Sequence, residues 1–172
     1  MEKEKRTLRF SEIFGFGAGG MFTYGFQLMI TGYYLLYYMT DIAGFSTVLA
    51  ASLYSTIQII KMVTMLFSGV IIDAINFRSG KYRTWVLVSG IGLGLFFPLS
   101  FFYYPLPQSV YVVVFMIIYT LQTLFYNVGW TAMRAVIGKV AKNKADVVAL
   151  NTSAQSAGTI SSILYGYIGY PI

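Results

Sequence analysis

Residues 48–83 read VLAASLYSTIQIIKMVTMLFSGVIIDAINFRSGKYR. The first part, residues 48–72, carries a single charge, Lys61. The rest is short and charged: Asp73, Arg78, Lys81 and Arg83 fall within it. A helix needs about 20 mainly apolar residues to cross a bilayer. Residues 48–72 are long and apolar enough to do so, and the charged run reads as the loop where the chain leaves the membrane and turns back.

The same alternation continues on both sides. An apolar stretch covers 14–39, and a break without Lys or Arg (residues 40–46, TDIAGFS) leads to 48–72. After the charged loop come apolar stretches at 84–103, 110–137 and 147–172, separated by YPLPQS and by GKVAKNKAD. The last is richer in Ser, Thr and Gly than the others. The expectation is a charged N-terminal segment, residues 1–13, and a transmembrane bundle over 14–172. The spans are helical, because an open strand would leave backbone groups unsatisfied in hydrocarbon.

Composition agrees. Of 172 residues, 57% are hydrophobic and 10% charged, against roughly 25% charged in soluble domains. So few charges do not cover a soluble surface, which makes lipid the solvent. The 17 glycines fit as well, since Gly is more frequent in membrane helices. With no Cys and no His, thiol chemistry, Cys/His zinc sites and a His general base are excluded. The formal net charge of +6 lies largely between the apolar stretches, so it does not point to nucleic acid. The N-terminal apolar stretch is far longer than a signal-peptide core of about 7–15 residues.

The basic residues orient the chain. Lys3, Lys5, Arg6 and Arg9 precede the first stretch, Arg78, Lys81 and Arg83 follow the second, and Lys139, Lys142 and Lys144 follow the fourth. The alternate breaks have no Lys or Arg. The positive-inside rule places the N-terminus and both basic loops in the cytoplasm. Five helices then bring the chain out on the far side at Ile172, an odd count that reads as unfinished.

In the charged loop, Gly69 stands four residues before Asp73, and Gly80-Lys81-Tyr82-Arg83 opens the next helix. A Gly there would permit close helix packing. Asp73 is able to pair with a basic residue of the loop or to cap a helix N-terminus. Pairs of this kind can hold a cytoplasmic side closed in one state and release it in another. Positive-inside sorting alone would explain the basic residues but not the Gly/Asp spacing.

This loop resembles the loop 2–3 motif of the major facilitator superfamily. Its longer spacing before Gly80, and the run GKYRTW, resemble the glycoside–pentoside–hexuronide:cation symporters, the melibiose-permease-like branch. Gly15-Phe16-Gly17, the run ending Met39-Thr40-Asp41, and Gly129-Trp130-Thr131-Ala132-Met133 are similar to further stretches of that family. The resemblance covers nearly the whole chain but only the first five of twelve helices. It implies an all-α integral membrane fold, the N-terminal five-helix portion of a transporter in the plasma membrane. The solute it implies is a sugar or glycoside, coupled to sodium or protons, with no other cofactor. The implied partners are the bilayer and either the missing C-terminal helices or another membrane protein.

The chain also departs from the family. The two acids that serve the coupling cation on helix 2 fall at Lys61 and Met65. Ala18 lies near the usual Asp of helix 1, and Asn127 and Asn151 lie near the acid of helix 4 and the Arg of helix 5. An ionisable residue in mid-membrane is costly and marks function by default. Lys61 would replace the coupling cation, carry protons, or simply lock helices together.

Helical spacing groups further polar residues: Tyr24, Gln27 and Thr31; Thr123, Asn127 and Trp130, with Arg134; and Asn151 with Gln155. Amides, hydroxyls and a stacking ring suit a sugar. Interhelical hydrogen bonding is the alternative for each. The glycines at 17, 19, 20 and 25 suit packing and bending rather than a phosphate loop.

The function expected is secondary transport of sugars or glycosides. The alternatives are another small solute (an anionic sugar, a lipid or a drug) or a stand-alone membrane subunit. An enzyme is not expected: the six acids all lie near water, and no nucleophile–base pair is present in the spans.

Overall fold

The computed structural model describes residues 8–21, 25, 27, 30–78 and 80–168. The helices are α1 (Phe10–Phe16), α2 (Thr47–Ala74), α3 (Lys81–Ser100), α4 (Gln108–Val140) and α5 (Lys144–Ile168). Among the described residues there is no strand. The chain has an all-α integral membrane fold. The helices α2, α3 and α4 are long and apolar enough to cross a membrane. At 25 residues α5 is also long, and its Asn, Gln, Ser and Thr content makes it less apolar.

The ends of these helices follow local chemistry. The Ser46 hydroxyl accepts from the Leu49 N–H at 3.3 Å and starts α2, which ends where Ile75 turns extended. Gly80 precedes α3 with φ +105°, a conformation open to glycine and strained for other residues. The Asn143 side chain accepts from the Asp146 N–H at 2.8 Å, which starts α5 three residues before the expected 147.

The first apolar stretch, expected as a helix over 14–39, is helical at each of its described residues, with α and π turns alternating. The helix α1 gives way to a π-helical turn at Gly17–Met21. Further π turns at Ile30–Tyr34 and Tyr38–Ile42 flank the single α turn Leu35–Tyr37. Glycines 15, 17, 19 and 20 lower the helix propensity of the first part.

The chain divides into two compact units. The first takes the described residues up to Tyr34 and those from Arg134 onward. Here Leu8, Ile137 and Leu150 form a small core with Ile13 and Phe16 packed on it. Gly17 lies against Ser153, where a Cβ would meet the backbone oxygen at 2.8 Å. Gly25 lies against Ser161 and Gly158 in the same way. Both therefore serve close packing, while a Cβ at Gly15 or Gly19 would meet nothing.

The second unit is residues 35–133. One end is aromatic: Tyr38, Phe45, Tyr111 and Phe115 are buried together with Ile57. The Tyr38 hydroxyl lies 2.7 Å from that of Tyr111 and donates to the Phe102 carbonyl at 2.8 Å. The other end is closed by Ile72, Trp85, Val128 and Ala132, with Gly92 packed against the Phe125 ring. Contacts between α2 and α4 advance in step along both helices, from Lys61 and Thr64 with Asn127 to Ser68 with Thr131, so the two run parallel. The opposite side of α2 is apolar and open: Ile59, Met62, Leu66 and Phe67 are each more than half exposed. A contiguous apolar face of this kind belongs against lipid or protein.

Candidate functional site

Between the aromatic and apolar ends of the second unit lies a polar layer. Asn127, 3% exposed, donates from Nδ2 to the Lys61 carbonyl at 3.0 Å and to Thr64 Oγ1 at 2.7 Å. Thr64 in turn donates to the Ile60 and Lys61 carbonyls of its own helix. One turn further on, Ser68 Oγ and Thr131 Oγ1 lie 2.8 Å apart. On the other flank, Ser100 Oγ donates to Gln122 Oε1 at 2.6 Å. Thr123 is buried on α4, one turn before Asn127. The amide hydrogens of Asn127 are thus committed to α2, which is the interhelical role. Its Oδ1 is the atom left to accept from a solute.

Lys61 is half-buried in this layer. Its Nζ stands over the Tyr126 ring, 5.8 Å from the centroid. Tyr126 stacks on Trp130, with centroids 6.3 Å apart and planes 9° apart. A Lys at the centre of a membrane helix costs roughly 2.5–3.5 kcal/mol. An aromatic face returns about 0.5–2 kcal/mol, depending on desolvation. The ring alone does not cover the cost at this range of distance. The sequence grouped Asn127 with Trp130 and singled out Lys61 apart from them; in the structure Asn127 bonds the Lys61 carbonyl, and Trp130 stacks on the Tyr126 ring over which Lys61 stands. Sequence reasoning missed Thr64, Ser68, Tyr126 and Thr131. Their signal was helical spacing: Thr64 and Ser68 follow Lys61 on one face of α2, and Thr131 follows Asn127 by four residues.

At the basic loop, Lys81 Nζ pairs with Asp73 Oδ1 at 2.6 Å. The Asp73 side chain is 74% exposed. Arg78 and Arg83 are exposed as well. Lys81 also lies 6.0 Å from the Tyr82 ring centroid. Gly80 matters here for its positive φ. Gly69 does not pack closely among the described residues, since a Cβ there would meet nothing within 4 Å.

The remaining candidates belong to the first unit. Gln27 is buried, and its carbonyl accepts from the Thr31 hydroxyl at 2.9 Å. Asn151 Nδ2 donates back to the Val147 carbonyl at 2.9 Å, and Gln155 is exposed. Tyr24 lies outside the described residues. Asp146 is placed differently from expectation. Read as near water, its side chain is 3% exposed. Oδ1 accepts from the Leu8 N–H at 3.1 Å and Oδ2 from the Lys142 N–H at 3.0 Å. The carboxylate thereby ties the segment before α1 to the start of α5. Among the described residues no group of acids stands ready to hold a metal.

Comparison with known proteins gives one family. The model of the family described as MFS/sugar transport protein matches residues 15–172. The chain is 29% identical over 126 residues to the candidate glycoside/cation symporter YagG of Escherichia coli (strain K12), covering 72% of this chain and 27% of that protein. It is 23% identical over 168 residues to the isoprimeverose transporter of Lactiplantibacillus pentosus, covering 98% of this chain and 35% of the relative. It is 24% identical over 135 residues to the inner membrane symporter YicJ of Escherichia coli (strain K12), covering 76% and 29%. The chain therefore spans about a third or less of the length of these relatives. No solved structure matches it significantly. With the match running from the first apolar stretch to Ile172, the chain belongs to the MFS/sugar transport protein family.

Proposed function

We propose that the chain forms the first part of a membrane carrier for sugars or glycosides, working by alternating access with its cargo near the bilayer midplane. The observation that supports this is the family match over residues 15–172. The polar layer of Lys61, Asn127 and Trp130 is the cargo-facing surface in this reading, with the N-terminus and basic loops in the cytoplasm of a plasma membrane. Cation coupling is a separate matter. Symporter relatives favour it, while α2 carries Lys61 and Met65 and no carboxylate before Asp73.

The test is counterflow of labelled sugars into proteoliposomes containing the complete reading frame that carries this segment. Uptake is expected above protein-free vesicles, with competition by glycosides. Uptake equal to that of empty vesicles, for a panel of neutral and acidic sugars, would reject the carrier reading. Repeating the assay with and without sodium and proton gradients reports the coupling.

The Asp73–Lys81 pair acts as a cytoplasmic latch in the same reading. An exposed pair is worth about 0–1 kcal/mol to stability. Asp73→Asn is therefore expected to leave thermal stability nearly unchanged while lowering the transport rate by about fivefold or more, the lower end of typical coupling energies. A parallel loss of both, or of neither, argues against a latch.

A further inference from the structure

Two basic stretches far apart in the sequence meet at one carboxylate. Asp146 Oδ1 accepts from the Leu8 N–H at 3.1 Å, and Oδ2 from the Lys142 N–H at 3.0 Å. The backbone at Leu8, which leads straight into Arg9, is thereby set beside that of Lys142, and Arg9 and Lys142 are both exposed. Lys139 in the last turn of α4 and Lys144 at the start of α5 are exposed as well. Against these four cations stand two acids, Asp146, buried under its amide donors, and Glu12, which accepts from the Arg9 N–H. Apolar surface borders the cations. Phe10 and Phe14 stack one turn apart on α1 with ring centroids at 6.1 Å, and each ring is more than half exposed. Ile13 and Phe16 of the same helix turn inward to Leu8, Ile137 and Leu150, so the ring pair occupies a different face.

We infer that this patch binds a phospholipid with an anionic headgroup. Arg9, Lys142 and Lys144 meet the phosphate, and Phe10 and Phe14 meet the acyl chains. Basic side chains at a helix end attract anionic headgroups on the cytoplasmic side of a membrane, and aromatic rings sit well at that depth. Asp146 is a positioning residue: it touches no lipid and holds the two basic stretches together through their backbones. The site takes its side of the membrane from the carrier reading above and is independent of the cargo.

The complete protein that carries this segment, purified in micelles, would be titrated with dioleoyl phosphatidylglycerol or with dioleoyl phosphatidylcholine. Bound lipid would be read by native mass spectrometry. The two lipids share their acyl chains and differ in headgroup charge. The phosphatidylglycerol is expected to bind at a concentration at least about fivefold lower, which corresponds to about 1 kcal/mol, the attraction of one basic residue near an anionic surface. Arg9→Gln and Lys142→Gln should each weaken its binding by about fivefold and leave phosphatidylcholine unchanged. Arg78→Gln, in the second unit, should change neither. Asp146→Ala separates a built site from diffuse attraction. The substitution removes a negative charge, so diffuse attraction would strengthen phosphatidylglycerol binding, whereas a site assembled by the carboxylate should weaken it. The Arg9 and Lys142 variants, which alter exposed side chains, carry the test if Asp146→Ala does not accumulate. Equal binding of the two lipids would overturn the inference. So would an equal loss in Arg78→Gln, or binding in Asp146→Ala that is unchanged or tighter. None of these outcomes bears on whether a sugar is carried, which the counterflow assay decides.

Discussion

Asp146→Ala should expose the Leu8 amide to solvent exchange about 5- to 150-fold faster than in the unaltered chain. The carboxylate is 3% exposed and accepts from Leu8 and Lys142. Leu8 is itself buried against Ile137 and Leu150. Removing the acceptor leaves its N–H with no partner in a dry place, at a cost of about 1–3 kcal/mol. The Lys142 N–H belongs to an exposed residue and regains water, so it adds little. At about 1.4 kcal/mol per tenfold, the Leu8 cost converts to the stated range of exchange. Asp146→Asn keeps one carbonyl acceptor and should fall between the two. Hydrogen exchange read by mass spectrometry on the N-terminal peptide makes the measurement. Unchanged exchange at Leu8 in Asp146→Ala would show that the contact does not hold the segment.

Asn127→Leu should weaken sugar binding by about two- to twelvefold while changing stability little. The amide spans α2 and α4 through two hydrogen bonds. Interhelical hydrogen bonds in membranes average about 0.6 kcal/mol and reach about 1.7, partly because the lost partners find others. The Lys61 carbonyl also accepts from Thr64. Folding therefore tolerates the change. Binding tolerates it less, because Oδ1 is lost and Lys61 is released from its register on α4. A net hydrogen bond of about 0.5–1.5 kcal/mol corresponds to roughly two- to twelvefold in affinity. Side-by-side sugar competition and thermal unfolding in micelles separate the two. A large loss of stability with affinity unchanged would make Asn127 a purely structural residue.

These two residues also show what the sequence could and could not say. Helices α2, α3 and α4 were legible within about three residues, because length and apolarity decide a membrane helix and charged or Pro-containing breaks mark its ends. Lys61 was legible because a charge amid 48–72 stands out. Its seat over Tyr126, and its backbone bond to Asn127, depend on the register of two parallel helices, which no local pattern carries. Asp146 failed for the same reason. Its place in the first turn of α5, just after Asn143, was visible. Its partner Leu8 lies 138 residues earlier. In the first stretch the π turns were not legible, because hydrophobicity does not distinguish an α turn from the π turns at Gly17–Met21, Ile30–Tyr34 and Tyr38–Ile42.

The central claim is that the polar layer between α2 and α4 faces a sugar. These 172 residues contain no cysteine, so in the complete protein, with any cysteine outside them replaced by serine, a single thiol is placed there against a silent background. Trp130→Cys, with Ile59→Cys on the open apolar side of α2 as control, would be labelled with a maleimide in the presence and absence of a transported sugar. The sugar is expected to slow labelling at position 130 and to leave position 59 unchanged. Labelling at 130 that proceeds at the same rate with and without sugar would contradict it.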